Sequence, residues 1–410
     1  MSELVEQEIE RRIAQKGRIT FAEFMEVALY LPVGGYYSGG STADSEGDYF
    51  TSPAAHPAFG ALLAVQLREM WNALGEPDRF EVMEVGAGKG VLAQDIVEYA
   101  SALGGGFRES LDYATVDRGE TGSAAAGVAG VFETKWPHDE PIVGCILSNE
   151  LVDAFPVHLF QIEAGRVMER FVTGPPGELR LEPGQPSTAE IERRVAPYVR
   201  AMPEGYRGEV NLGIAGWARQ MAQALERGFA LTVDYGYGQA EMYAPRRSVG
   251  TLQTYFRHAP GRGPLARIGE QDITAHVDFS ALVSEGESVG LGTVGLTTQR
   301  DFLRRLGFDE MLSSMRGMSM PSAERDANVM AMRELAKPDG LGDFKVLVQQ
   351  IGVGADGLPG IAPKRSCFGE GGLPVPVLGP RHLSLMQGRY PHLAVELDEL
   401  WPQEAATREH

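Results

Sequence analysis

The sequence predicts an α/β fold with a Rossmann-like, mainly parallel sheet. Three observations carry that reading. The stretch FEVMEVGAGKGVLAQDI, Phe80 to Ile96, joins a short apolar strand to a helix through a glycine-rich turn. Strand-like and helix-like segments then alternate, as in a sheet with crossover helices. Glu84, Asp117, Asn149 and Asp234 each stand at the carboxyl end of an expected strand, where open α/β sheets bind ligands.

In the first unit, Phe80, Val82, Met83 and Val85 form an apolar run long enough for one buried strand. Gly86, Gly88 and Gly90 follow, spaced G-x-G-x-G. Glycines here permit positive φ and let a ligand touch backbone. Position 91 is Val, so the dinucleotide pattern is matched only in its first two glycines. Glu84 just before the turn repels phosphate and suits a cationic, amine-bearing ligand such as S-adenosylmethionine. A purely structural strand–helix turn is the alternative.

Ahead of this unit, residues 3–16 read as a helix with Leu4, Val5, Ile9 and Ile13 on one side. Thr20 and Glu23 form a capping box for a second helix that stops at Pro32. Gly34–Gly40 and Gly47–Pro53 are loops, and Phe59–Leu74 a buried helix. These pieces make an N-terminal helical cap.

After it, Leu111–Val116 is a second strand ending at Asp117, the kind of residue that accepts ribose hydroxyls. Val128–Phe132 is a weak third strand and Ile142–Leu147 a clear fourth. Val157–Ile162 and Val167–Val172 read as a hairpin. Glu190–Val199 and Ile214–Arg227 are helical, and Phe229–Val233 is a fifth strand. Gln239–Asp278 has little periodicity and reads as an ordered functional loop or lid. Thr298–Leu306 and Ala323–Ala336 are helices, Asp343–Ile351 is a late strand, and Gly352–Gly379 is Gly/Pro-rich linker or tail.

Bulk composition limits the partners. The chain has 410 residues and a net charge of −19, which argues against nucleic acid or an anionic membrane surface. No apolar run reaches the ~18 residues of a membrane span. Cys145 and Cys367 fit a reducing compartment and leave no multi-cysteine zinc site. The expected setting is cytoplasmic, or the mitochondrial matrix if a transit peptide precedes this sequence.

Seven segments run in one order from residue 19 to residue 308: ITFAEFMEVALYLPVGGYY, GDYFTSP, the glycine unit, SNELVDAFPV, TVDYGYG, PLARIGEQDITAHVDF and TTQRDFLRRLGF. Together they resemble the MidA-like group of class I S-adenosylmethionine-dependent methyltransferases. That group includes the mitochondrial complex I assembly factor that methylates arginine in a partner subunit. Two departures stand out. Ala54 and Ala55 follow TSP where the group commonly has a glutamate, and Asp117 replaces a frequent Glu.

The resemblance implies a class I methyltransferase sheet with large insertions after strands four and five. It implies a cap and cofactor lid over residues 1–75 and a core over 76–352. Acceptor-binding segments are inserted at about 155–228 and 236–298, and a Gly/Pro-rich extension covers 353–410. S-adenosylmethionine would be held by Glu84, Gly86, Ala87, Gly88, Gly90, Asp117 and Asn149, with Thr51, Ser52 and Pro53 closing over it. Asn149, Glu150 and Asp153 would face the acceptor, orienting a guanidinium and removing a proton. Capping of the next turn is the alternative for Asn149 and Asp153. Asp234 and Tyr235 line the acceptor pocket or serve structure alone. His258, Asp272, His276 and Asp278 tether loops and hold no metal, because transfer from a sulfonium needs none. The methionines at 311, 315, 318 and 320 are pliable filler.

The implied activity is methyl transfer to a nitrogen, most simply arginine on a partner protein. A small-molecule N- or O-methyltransferase and a non-catalytic cofactor-binding assembly factor are the other classes. The acceptor is then a protein or a cationic small molecule, with no nucleic acid or membrane partner; a homodimer is compatible with all three.

Overall fold

The computed structural model describes residues 2–38, 51–117, 140–175, 177–256, 259–261, 263–355, 357–362 and 372–382. The strand expected at Val128–Phe132, the Gly47–Phe50 half of the second loop, His258 and Cys367 lie outside these residues.

Six strands form the central sheet, in the spatial order Gly292–Thr298, Lys345–Ile351, Leu225–Asp234, Ile142–Asn149, Phe80–Val85 and Leu111–Val116. The last four are mutually parallel, and Lys345–Ile351 runs antiparallel to Leu225–Asp234. The chain leaves Phe80–Val85 for a neighbour on one side and then returns to its other side at Ile142–Asn149. This reversal opens a crevice at the carboxyl ends of those two strands, the place where doubly wound sheets bind ligands.

The strands are apolar because both faces are covered. Helices Ala58–Ala73 and Val91–Ala100 pack together on one face, the former with twelve buried residues. Trp217, Phe155 and Phe279 belong to a cluster on the other. Two strand glycines are required by close approach. A Cβ at Gly144 would lie 1.8 Å from Glu81 O, and one at Gly228 would lie 2.0 Å from Gly144 O.

Residues between the Asn149 and Leu225 strands build a second, antiparallel sheet. His158–Glu163 and Arg166–Thr173 form the hairpin, flanked by Arg207–Val210 and Arg180–Gly184. Its edge strand comes from the N-terminus, through Ile19↔Val172 and Thr20↔Phe171. Thr20 also caps helix Phe21–Tyr30: its Oγ1 accepts from Glu23 N and its own N–H donates to Glu23 Oε2, both at 3.0 Å. The helical cap is therefore stitched to the first insertion. Among the described residues no helix is long and apolar enough to cross a membrane.

Several elements differ from the sequence expectation. The fifth strand starts at Leu225, not Phe229, and the helix before it ends at Ala224. Glu226 and Arg227 are exposed at the strand's entrance, and such polar residues read equally well as a helix surface. Gly292–Thr298 is a strand, and Phe279–Ser288 and Phe308–Gly317 are helices, where none was expected. Gln239–Asp278 holds short strands at Gln253–Phe256, Asp272–Thr274 and Val277–Asp278. Met311 and Met315 are buried in the main core.

Gly144→Ala tests the strand spacing. The methyl group would force apart the two central strands, and the expected loss is about 3 kcal/mol or more, read as a lower urea midpoint.

Candidate active site

A cavity of about 290 Å³ opens at the crevice. The turn after the Glu84 strand forms one wall and the turn after the Asn149 strand the other. Thr51, Pro53 and Ala54 contribute from the segment before helix Ala58–Ala73, and Tyr36, Tyr37 and Asp272 come from the cap and second insertion. Of the residues singled out from sequence, Thr51, Pro53, Glu84, Gly86, Ala87, Gly88, Asn149, Glu150 and Asp153 line this cavity. Ser52, Gly90, Asp117, Asp234 and Tyr235 lie outside its lining.

Gly86, Gly88 and Gly90 have φ of 78°, 53° and 69°, a region that a Cβ disfavours. At Gly88 and Gly90 an added Cβ would meet no atom of the described residues within 4 Å. Backbone conformation, not packing, therefore requires glycine, and the turn leaves open space beside its main chain. Asp117 Oδ2 accepts from Gly88 N at 2.6 Å and so shapes this turn directly.

Glu84 is 3% exposed and accepts from the Tyr113 hydroxyl at 2.9 Å. Burial pushes its carboxyl up to about 7, with the nearby Asp117 charge adding to the rise.

The second wall is built by the sheet. Glu150 N donates to Val233 O at 2.9 Å while Glu150 adopts φ of 49°. A left-handed glutamate stores strain and often marks a functional turn. Its carboxylate accepts from Asn149 Nδ2 at 3.2 Å. Ser52 points away, donating to Gln299 Oε1 at 3.0 Å. Burial, then the charge of Asp153, push Glu150 up to about 8. Asp153 lies in the short turn Val152–Ala154 and is also pushed up by burial, an effect opposed by the Tyr235 hydroxyl that donates to Oδ2.

Asp234 anchors this turn. Its Oδ2 accepts from Val152 N at 2.9 Å and Asp153 N at 3.3 Å, and its Oδ1 from Tyr235 N at 2.8 Å. Asn149 Oδ1 and Asp153 Oδ1 are buried with no hydrogen-bond partner among the described residues.

Sequence reasoning missed Tyr36, Tyr37 and Lys89 as lining residues. Asp272 was read as a loop tether, and it does accept from the Tyr37 hydroxyl at 2.8 Å, but it also lines the cavity. The signals were the paired tyrosines of GGYY and the acid of GEQD. Asp278 caps helix Phe279–Ser288, with Oδ1 accepting from Ala281 N at 3.0 Å. Among the described residues no group of three or more His, Cys, Asp or Glu side chains could hold a metal ion.

These features fit S-adenosylmethionine. An open main-chain cradle stands beside a buried acid that has no cation partner among the described residues, and two residues lining the same cavity, Asn149 and Asp153, each carry a buried acceptor oxygen without a partner among them. A ligand ammonium would favour ionised Glu84. The affinity for S-adenosyl-homocysteine is then expected to fall as pH drops below about 7, approaching the roughly tenfold per unit of one coupled proton. Calorimetry from pH 7.5 down to 5.5 should show this decline in the wild type and a flatter response in Glu84→Gln.

The comparisons with known proteins agree. The sequence profile of Methyltransf_28, described as S-adenosyl-L-methionine-dependent methyltransferase, matches residues 62–297. A COG1565 superfamily member from Burkholderia thailandensis, solved bound to S-adenosyl-homocysteine, superposes with a TM-score of 0.75 at 30% identity over 88% of this chain and 94% of that one. The protein arginine methyltransferase NDUFAF7, mitochondrial, of Homo sapiens is 27% identical over 81% of this chain and 80% of its own length. Its Rattus norvegicus counterpart is 29% identical over 73% of each. By profile, fold and the bound product of its structural neighbour, the chain belongs to the MidA-like family of S-adenosyl-L-methionine-dependent methyltransferases, and S-adenosylmethionine is its cofactor.

Proposed function

We propose that this methyltransferase acts on a cationic nitrogen, and specifically on arginine of a partner protein. One observation carries the reading: Asn149, Glu150 and Asp153 line one wall of the cavity, and Asn149 Oδ1 and Asp153 Oδ1 are buried acceptors with no partner among the described residues. A ligand group that satisfies them must bring several N–H donors. A guanidinium brings five in a flat fork. The net charge of −19 favours encounter with basic segments. The NDUFAF7 relatives are named as protein arginine methyltransferases, which supports the same acceptor.

Glu84 would hold the cofactor's amino group, with the main chain of Gly86, Ala87, Gly88 and Gly90 beside its methionine part. Asp117, already on Gly88 N, would hold the ribose. Thr51 and Pro53 would cover the cofactor, with Ser52 between them fixing the segment through its bond to Gln299. Bound S-adenosylmethionine supplies a methyl group activated on a sulfonium. Guanidinium nitrogens are weak nucleophiles because their lone pairs are delocalised. Hydrogen bonds from the acceptor to Asn149 and Glu150 would localise that charge and turn one nitrogen toward the cofactor. Asp153 Oδ1 would take the proton that this nitrogen sheds. Burial strengthens each of these interactions relative to water. The named relatives are mitochondrial, so the cytoplasmic setting expected from the two cysteines has no support among them.

Neutral isosteres test the assignment. Glu150→Gln and Asp153→Asn are each expected to lower methyl transfer by about 100-fold or more, while S-adenosyl-homocysteine affinity stays within a few-fold of the wild type. The assay is incorporation of labelled methyl into dialysed lysate, with mass spectrometry locating the label on arginine side-chain nitrogen. Wild-type rates in both variants would reject the acceptor wall. Label confined to a small molecule would move the enzyme to the small-molecule class, and no transfer by intact wild type would favour the assembly-factor class.

A further inference from the structure

Tyr235 lies outside the cavity but touches the side chain that matters most within it. Its hydroxyl donates to Asp153 Oδ2. The other oxygen, Oδ1, is buried, has no partner among the described residues, and belongs to a residue that lines the cavity. One hydrogen bond therefore divides a symmetric carboxylate into a held oxygen and one without a partner among the described residues.

The tyrosine is itself fixed on every side. Its ring meets His276 edge-on at 5.1 Å and Phe344 at 5.3 Å. Its N–H donates to Asp234 Oδ1 at 2.8 Å, and its carbonyl accepts from Val277 N at 2.9 Å. Asp234 meanwhile holds the main chain of Val152 and Asp153. The dipeptide Asp234-Tyr235, at the end of one strand, thus fixes both backbone and side chain of an acid carried by the neighbouring turn. A second tether, Ala275 N to Asp153 O at 2.9 Å, closes the same turn from the second insertion.

We infer that Tyr235 is a positioning residue for methyl transfer, orienting Asp153 so that Oδ1 faces the acceptor as proton acceptor. This rests on the reading of Asp153 given above. Without the hydroxyl, the carboxylate would be free to rotate about its Cβ–Cγ bond, and Oδ2 would join Oδ1 as a buried acceptor without a donor.

The electrostatic surroundings point the same way. Glu150 faces Asp153 from its own segment and Asp234 from the adjoining strand, both acids. Asp272 lines the same cavity. His276, behind the tyrosine, gives no compensating charge at neutral pH, since burial, then the Arg247 charge, hold it down to about 4. The Tyr235 hydroxyl is the side-chain donor that favours ionised Asp153.

Tyr235→Phe keeps the ring and removes the donor. The expected result is a rate lowered about tenfold at neutral pH, with the acid limb of the rate–pH profile displaced upward by about one unit. Carbon-13 NMR of carboxyl-labelled aspartate, with Asp153→Asn for assignment, should show the Asp153 titration move up equally, and S-adenosyl-homocysteine affinity should not change. Replacing Tyr235 by 3-fluorotyrosine, a more acidic donor of nearly the same shape, should move both midpoints down. An unchanged acid limb and titration in both variants would overturn the inference, whatever happens to the rate. If Asp153→Asn alone retains the wild-type rate, the reading of Asp153 falls and the inference falls with it. If Asp153→Asn is inactive and Tyr235→Phe is unaltered, only the inference falls.

Discussion

Burial of carboxylates at the carboxyl edge of one sheet is the constraint around which this molecule is arranged. Glu84 and Asp153 are 3% and 5% exposed, and Asp234 is fully buried. No arginine or lysine among the described residues pairs with them or with Glu150. A buried charge without partners is expensive, so it is hydrogen-bonded, neutralised or offset by a ligand. The structure uses each response. Asp234 is satisfied by three backbone N–H groups. Glu84 and Glu150 are pushed up to about 7 and about 8 and so favour the neutral form. Asp153 keeps one oxygen for the cavity. Raised carboxyl values mean that these acids contribute stability below their unfolded values and lose it as pH rises through the folded ones. A cationic ligand reverses that penalty, so the property that weakens the fold at neutral pH also favours a sulfonium and an amine.

Two elements remote in sequence complete what the sheet begins. Tyr30, on the helix after the Thr20 cap, donates to Ala154 O at 2.7 Å, and Tyr37 reaches Asp272 across the cavity mouth. The N-terminal segment can do this because its edge strand pairs with the first insertion. Helical cap, first insertion and second insertion thus converge on the Val152–Ala154 turn, through Tyr30, through Asn211 Nδ2 donating to Val152 O at 3.4 Å, and through Ala275 N. That turn is held by surroundings drawn from distant parts of the sequence, and this gives the second wall of the cavity a rigidity that a surface loop lacks.

The site was legible to the extent that its chemistry coincided with local pattern. Apolar runs ending in Glu84, Asn149 and Asp234 gave strands and the edge where ligands gather, and the glycines gave the turn. What stayed hidden depends on tertiary contact. No periodicity shows that Tyr36 and Tyr37 face the same cavity as Asp153, or that Asp117 turns onto Gly88 N. The exposed start of the Leu225 strand and the weakly apolar GTVGLTT strand, Gly292 to Thr298, lack the signals that separate strand from helix or loop. Asp234 read ambiguously for a physical reason: a fully buried acid at a strand end looks the same in sequence whether it meets a ligand or three amides.

The C-terminal segment, which matched no motif, turns out to bear on the same site. Asp95 lies on the inner face of the helix that follows the glycine turn and is buried. Burying it is tolerable because Arg381 donates to Oδ1 at 2.6 and 3.1 Å, and His382 approaches Oδ2 at 3.1 Å. A few residues earlier, Leu378 N donates to Asn328 Oδ1, the atom that also meets His56 Nε2. His56 follows directly on Ser52–Ala55, the short helix whose Pro53 and Ala54 line the cavity. Loss of the Arg381 and His382 contacts would leave an uncompensated buried charge, worth about 3–5 kcal/mol. That strain would fall on the helix that follows the glycine turn. Through these ion pairs and hydrogen bonds, residues 378–382 are tied both to the helix that follows the glycine turn and, by way of Asn328 and His56, to the segment that supplies Thr51, Pro53 and Ala54 to the cavity.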